Sequence, residues 1–563
     1  VCNSSREVKT FAAGSLSDIL VAAGGSAVYR VAYRVSKWVL MSVAGMACLT
    51  VQAADLRLIE SVKKQDVKTV RALLAQHADV NATEPDGSTA LHWAAQRDNL
   101  AITDLLLASG AKPNVATRYK VTPLSLACVN GNAAIIERLL KAGVDPNSTS
   151  EEGETALMTA SLTGNVDAVK VLLSHGAKVD VAEPLQGQTA LMWSASEGRT
   201  AATAMLIEFG ASVKAKSKGG FTPLLFAVRN GHLDAANTLL EHGANVNDAA
   251  PDGTSALGMA VVNAYFELAA MLVDKGANPN APDPRGSALH TLAWLRKPGA
   301  DGAAGVGNTP HGPPVPLGKV TSFELAKKLL DHGADPNIRI TWAEKTFEKE
   351  GGTAKNPPNI QLGRHFLSYV GATPFYVAAQ TGDAPFMRLL AEHGADPKLP
   401  TVQGITPLMA ASGLGYWEGE TPGPFTGCTE AERLEAVKFA LELGNDVNAQ
   451  ADFGDYKMEG TPEYTLLYYP LNMDALTGKV LGDPRWSGST ALIGGIISGQ
   501  ASIVQFLIDH GARVDAKTRL GWTPLMVAEG VFFANAKKEF PAAAAIIRKA
   551  LNQPLKASNQ APE

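Results

Sequence analysis

Residues 220–231 read Gly-Phe-Thr-Pro-Leu-Leu-Phe-Ala-Val-Arg-Asn-Gly, and residues 232–247 continue His-Leu-Asp-Ala-Ala-Asn-Thr-Leu-Leu-Glu-His-Gly-Ala-Asn-Val-Asn. Thr222 is placed to cap a helix, because its hydroxyl can accept an N–H that the first turn leaves without a partner. Pro223 suits that first turn, where its missing N–H costs nothing. Leu224, Ala227 and Val228 recur at helical spacing as one buried stripe, and Gly231 ends the helix. A second helix follows over 232–242, and Gly243 suits the left-handed conformation that closes it. Asn245, Asn247, Asp252 and Gly253 are turn formers that bring the chain back through a hairpin-like finger. One helix pair leaves an apolar face bare, so the segment needs copies of itself to cover it.

The copies are present. The pattern Thr-(Ala/Pro)-Leu begins at Thr89, Thr122, Thr155, Thr189 and Thr222, and recurs with serine at Ser255 and Ser287. It continues at Thr373 (as Thr-Pro-Phe), Thr406, Thr490 and Thr523. Successive copies lie 32 to 34 residues apart, except for steps of 86 before Thr373 and 84 before Thr490. A second marker, such as Gly110-Ala-Lys-Pro-Asn114, Gly276-Ala-Asn-Pro-Asn280 or Gly333-Ala-Asp-Pro-Asn337, follows most copies by about 21 residues. In period and signature this resembles the ankyrin repeat, and the resemblance covers essentially all of residues 54–552. It implies an all-α solenoid of about twelve helix-pair units with short hairpin fingers and four insertions in the C-terminal half. Residues 55–81 read as a capping first unit, its opening helix carrying Arg57, Glu60, Lys63 and Lys64. Copies seven and eight depart from the pattern at Gly258, Asn263, Leu292 and Trp294, and distortion is expected there. The chain thus divides into an N-terminal extension and signal peptide (1–53), repeats one to seven with the start of eight (54–296), repeats eight to ten with long insertions (297–487), repeats eleven and twelve (488–552), and a tail (553–563).

The 563 residues are 46% hydrophobic and 19% charged, which fits folded globular chains and excludes a largely disordered one. Of the net charge of −5, residues 1–53 contribute +3 and the remainder −8. A mildly acidic body argues against nucleic acid as partner, because phosphate binding needs a basic stripe. Residues 37–53 follow the basic residues Arg30 and Arg34 and open with Lys37; an uncharged apolar run comes next, then small residues at Val51 and Ala53. That is the pattern of a secretory signal peptide cleaved near Ala53–Ala54, and the run is too short for a bilayer-spanning helix. The expectation is a periplasmic or secreted protein with no membrane span in the mature chain. Residues 1–34 read either as lying upstream of the true start or as a long basic region of the leader. The stretch before Cys48 lacks the large aliphatic residue of a lipoprotein cleavage box, which weighs against lipid anchoring there.

The two long steps contain four insertions. Those near 297–318 and 413–430 lie between the helices of copies eight and ten, whereas those near 341–370 and 452–487 interrupt their fingers. The first is rich in Gly and Pro. The other three hold 13 of the 32 aromatic residues that follow residue 53. Disordered tracts are poor in aromatics, so these segments are expected to pack on the repeats, to bind, or to do both. The binding reading places a site in a cleft between the finger insertions, anchored by Trp342, Phe366, Tyr456, Tyr468 and Trp486.

Motifs for catalysis are missing: there is no H-E-x-x-H, G-x-S-x-G, C-x-x-C or phosphate-loop signature. No catalytic residue, metal ligand or cofactor is assigned. His92 and His290 occupy the helix-one histidine position of the family motif, which implies a structural role. His365, in a finger insertion, is the histidine with aromatic neighbours. Cys128 aligns with a small core position and reads as a packed thiol. The leading functional reading is a non-catalytic scaffold, monomeric, that binds a protein partner in an exported compartment. The resemblance implies contact through finger tips and inner helices. Its variable surface positions fall on Thr83, Pro85, Asp86, Ser88, Gln96 and Arg97, then on Arg118, Tyr119, Val121, Val129 and Asn130. Further along they fall on Ser217, Lys218, Phe221, Arg229 and Asn230, and Arg118, Tyr119, Lys218, Phe221 and Arg229 are the leading candidates. The alternative is a ligand- or glycan-binding protein, hydrolytic or not, whose site the insertions build.

Overall fold

A computed structural model describes residues 56–281, 286–296, 318–340, 371–414, 428–452, 487–533, 536–537 and 539–552. The chain divides between Asp248 and Ala249 into two compact units. The first holds α1 (Arg57–Lys63), α2 (Val67–Ala75), α3 (Ala90–Gln96), α4 (Leu100–Ala108), α5 (Pro123–Asn130) and α6 (Ala133–Lys141). It continues with α7 (Ala156–Thr163), α8 (Val166–Ser174), α9 (Ala190–Ser196), α10 (Thr200–Glu208), α11 (Pro223–Arg229) and α12 (Leu233–Glu241). The second unit holds α13 (Ala256–Val262), α14 (Phe266–Asp274), α15 (Ala288–Arg296), α16 (Ser322–Asp331), α17 (Pro374–Gln380) and α18 (Ala384–Glu392). Then come α19 (Pro407–Ser412), α20 (Glu430–Glu442), α21 (Ala491–Ile497), α22 (Ala501–Asp509), α23 (Pro524–Gly530) and α24 (Pro541–Ala550). A two-residue hairpin, β1 (Phe532–Phe533) with β2 (Ala536–Lys537), joins the last two helices. Among the described residues no helix is long and apolar enough to cross a membrane.

In the first unit, odd-numbered helices pack on odd-numbered ones and even on even, giving an inner and an outer layer. Small residues make the inner layer possible: Ala94, Ala127, Ala160, Ala195 and Ala227 are all fully buried where successive inner helices meet. Outer helices contribute Ile102, Ile135, Val169 and Leu239, each fully buried and each worth roughly 2 kcal/mol of transfer free energy. The caps fall where the sequence places them. Thr122, Thr155, Thr189 and Thr222 accept the N–H three residues on at 3.1 to 3.4 Å. Gly243 is left-handed at φ 89°.

The asparagine of the second marker has a specific task. Asn147 Nδ2 donates to the Gly176 carbonyl at 3.1 Å while its Oδ1 accepts the Lys178 N–H at 2.8 Å. One amide thereby satisfies a donor and an acceptor of the next copy. Asn81 does the same with Gly110 and Lys112.

The second unit keeps these devices across its long steps. Asn280 clamps Gly333 and Asp335, Asn337 clamps Gly394 and Asp396, and Asn448 clamps Gly511 and Arg513. Copies seven and eight are regular helices, contrary to expectation. Gly258 donates its N–H to the Ser255 cap at 3.0 Å, and Asn263 lies just past the end of α13. Leu292 and Trp294 are buried within α15, which runs to nine residues.

Candidate binding surface

Among the described residues, finger after finger is closed by the same two backbone bonds. In the first, Gly87 N–H donates to the Glu84 carbonyl and Glu84 N–H to the Ser88 carbonyl, both at 2.8 Å, leaving Pro85 and Asp86 at the tip. The pattern recurs at Thr117–Val121, Ser150–Glu154 and Ser217–Phe221. Adjacent fingers are tied through their tips: Arg118 N–H donates to the Asp86 carbonyl at 2.9 Å and Lys218 N–H to the Gln186 carbonyl at 2.8 Å. The first tip is thereby fixed to the second and the fourth to the fifth.

Of the leading candidates, Arg118, Lys218 and Arg229 are exposed, whereas Tyr119 and Phe221 are half-buried. The Arg118 guanidinium lies 4.8 Å from the Tyr119 ring centre, and that of Arg229 lies 5.9 Å from Phe221. Phe221 in turn sits 5.7 Å from Phe226 of α11. Each aromatic thus holds a cation over its face at the rim of the inner layer. Thr83, Pro85, Gln96 and Arg97 are exposed as expected. Ser88 and Ser217 are buried instead, because their hydroxyls serve the finger turn: Ser88 bonds Asp86, and Ser217 accepts the Phe221 N–H at 3.1 Å. Asn130 and Asn230 also serve the stack, donating to the carbonyls of Ala95 and Ser196 in the preceding copies at 2.9 and 2.7 Å.

The sequence reading missed a column four residues after each cap on the first helix of each copy: Trp93, Leu126, Thr159, Trp193 and Phe226, the first three half-buried and the last two buried. Counting outward from each capping Thr finds it. Trp93 is held there by the first finger. Its Nε1 donates to Glu84 at 2.6 Å, and Glu84 also pairs with Lys63 at 2.6 Å. Burial lowers the Lys63 pKa, but its bonds to Glu84 and Glu60 outweigh this and leave it raised.

His92 and His290 are structural. His290 Nδ1 accepts the Ser287 N–H at 3.1 Å, so Nε2 carries the proton and donates to the Ala372 carbonyl at 3.1 Å. Burial pushes its pKa down to about 4. His92 repeats the arrangement with Thr89 and Val121 and is likewise lowered by burial. Cys128 and Cys428 are buried thiols, Cys428 Sγ accepting from the Arg433 guanidinium at 3.4 Å, and burial pushes the Cys128 pKa up. Among the described residues no group of three or more His, Cys, Asp or Glu is arranged to hold a metal ion.

Trp342, Phe366, Tyr456, Tyr468, Trp486 and His365 lie outside the described residues, as do residues 1–53. The described ends of the finger insertions show how they are rooted. Gly371 N–H donates to Ile340 and Ile340 N–H to Ala372, at 2.7 and 2.9 Å, the same two bonds that close Glu84–Ser88. Ala451, Gly488 and Ser489 repeat them at 2.7 and 2.9 Å. Each insertion therefore replaces the central residues of a finger turn and leaves the neck intact. Between these necks lies the finger Thr401–Ile405, whose tip residue Val402 is 51% exposed. An insertion between helices is rooted differently. Arg296, the residue before it, forms a two-pronged ion pair with buried Asp383 at 2.6 and 3.2 Å and donates to Ser322 Oγ at 3.1 Å.

No curated protein sequence matches the chain. Among solved structures, the crystal structure of the human ASB11 ankyrin repeat domain is similar, with 27% identity and a TM-score of 0.37, over 40% of this chain and 99% of that one. A family model described as ankyrin repeats (3 copies) matches residues 58–150, 132–217 and 205–283. Residues 58–283 of the chain thus match ankyrin repeats, and caps, amide clamps and fingers recur there with the 33-residue period.

Proposed function

We propose that this chain is a non-catalytic binding scaffold working in an exported compartment. Ankyrin repeats generally mediate protein–protein interaction, and the family is generally non-catalytic. The observation that carries the reading is a division of labour. Residues that recur from copy to copy are consumed by capping, clamping and turn closure, whereas Arg118, Lys218 and Arg229 are exposed. The partner is a protein engaged through the finger row and inner face, with no nucleic acid involved, and the scaffold is monomeric. The cleft anchored by Trp342, Phe366, Tyr456, Tyr468 and Trp486 is proposed as a second contact region. The signal peptide is cleaved near Ala53–Ala54, giving a periplasmic or secreted product without a lipid anchor at Cys48.

Affinity capture from the native envelope fraction with the chain beginning at Ala54 tests the reading. The expected result is a protein retained by the wild type and lost by the R118A/K218A/R229A variant at unchanged melting temperature. Retention by both would move the contact to the insertions, where alanine variants of the five aromatics decide. An N-terminal sequence of the exported product that begins far from Ala54, or an intact leader in the cytoplasm, would overturn the compartment.

A further inference from the structure

The finger row of the first unit carries a charge order that the repeat pattern does not require. The first finger spends its two carboxylates internally, Glu84 on Lys63 and Trp93, Asp86 on Ser88. The second presents Arg118 and Lys120, both exposed. The third presents Glu151 and Glu152, also exposed. In the fourth, Glu183 is 5% exposed and accepts the N–H groups of Leu185, Gln186 and Gln188 at 2.6 to 2.9 Å. Its charge is thus absorbed, and the tip shows Leu185, 66% exposed. The fifth presents Lys216 and Lys218, the latter also donating to the Pro184 carbonyl. From the second finger to the fifth the row reads basic, acidic, apolar, basic.

Among the described residues, the ion pairs of this unit are Lys63 with Glu60 and Glu84, Arg138 with Asp104, and Lys141 with Glu137. Arg118, Lys120, Glu151, Glu152, Lys216 and Lys218 are in none of them. Lys120 adds a second sign. It holds φ 58° at the turn position where other fingers place glycine, a conformation that is unfavourable for a residue with a side chain.

We infer that this row docks an extended peptide segment of a partner whose side chains run acidic, basic, apolar, acidic in register with fingers two to five. The inference rests on the scaffold reading and names the partner's chemistry. Neighbouring copies stack at about 10 Å, so three intervals span about 30 Å. An extended chain rises about 3.3 Å per residue, which allots three residues to each finger and about eleven to the whole row.

The probe is a labelled peptide, Glu-Asp-Ser-Lys-Lys-Ser-Leu-Leu-Ser-Asp-Glu, with its reverse sequence and a permuted peptide that moves the basic pair to one end. Fluorescence anisotropy with the full chain at low salt is expected to show at least tenfold tighter binding for one of the two ordered peptides than for the permuted one. The advantage should shrink several-fold at 0.5 M salt, where screening is short-ranged. The variant K216E/K218E should lose the preference and regain it with a peptide whose last pair is Lys-Lys; circular dichroism checks its fold. Equal binding of ordered and permuted peptides, no binding of any, or failure of the charge swap would overturn the inference. If the captured partner is still lost with R118A/K218A/R229A while the peptides show no order preference, the scaffold reading stands and only the docking order falls.

Discussion

At the scale of single residues, His290 makes stability depend on pH with a sign fixed by its bonds. Its neutral ring accepts at Nδ1 and donates at Nε2, and its folded pKa of about 4 lies below the ordinary value of 6.5. Above pH 6.5 both folded and unfolded forms are neutral, and the contribution is complete. As pH falls from 6.5 towards 4 the unfolded chain binds a proton that the folded one refuses, so stability drops by roughly 3 kcal/mol. Urea midpoints followed between pH 7.5 and 4.5 should fall for the wild type and fall less for His290→Gln, the remainder including the share of His92. Asp383 gives a second test. Asp383→Asn keeps the size and the cap to Phe386 N–H but leaves Arg296 without its counter-charge, at an expected cost of about 3 kcal/mol. A loss under 1 kcal/mol in chemical unfolding would show that the pair breaks even. Lys120→Gly should move the other way, gaining about 1 kcal/mol by relieving the left-handed backbone. These roles divide by how far the partner lies in sequence. The Thr222 cap was legible because its acceptor task is met three residues away. Ser88 and Ser217 were misread as surface because a hydroxyl that folds back on its own turn looks, in sequence, like one that faces water.

At the scale of elements, the marker asparagines show what sequence conveys and what it hides. Their spacing announced a repeat, but their partners lie about 30 residues on in regular copies and 53 to 65 on across the insertions. Only the stacked structure reveals that Asn337 fastens α16's copy to that of α18. Asn337→Ala removes two bonds to backbone groups, an expected cost of about 2 kcal/mol. In a one-dimensional stack the damage stays with nearest neighbours. Hydrogen exchange should therefore quicken in 371–414, while amides of 56–248 keep their rates; a uniform loss would argue for long-range cooperativity. The candidate surface was legible to a lesser degree. Arg118, Lys218 and Arg229 are exposed, in keeping with the rule that a basic residue finds no partner inside an apolar stripe. Glu183 gave no such signal, since an acidic residue in a turn is ordinarily solvated and nothing local reveals that three N–H groups enclose it.

At the scale of the whole molecule, the long steps of 86 and 84 residues were read as holding four insertions, two of them in fingers, and the bonds from Ile340 to Ala372 and from Ala451 to Ser489 close the finger neck on either side of those two. The physical reason is that hairpin closure uses backbone atoms on either side of the tip and none of the tip itself. That geometry has a meaning for making chimaeras. Any tip in the row is a port into which foreign sequence can be spliced, because the entropy of closing a loop grows only with the logarithm of its length. Extending a tip from two residues to thirty costs about 2 kcal/mol on that scaling, whatever the added residues are. A Gly/Ser-rich segment spliced between Pro85 and Asp86 should lower chemical stability by that amount and leave helical content unchanged. Spliced into α5 instead, it should unfold that copy and its neighbours and lower the helical content. Such a chain behaves as a rack whose slots accept cargo without knowing its sequence, and copies eight and ten are the slots already filled.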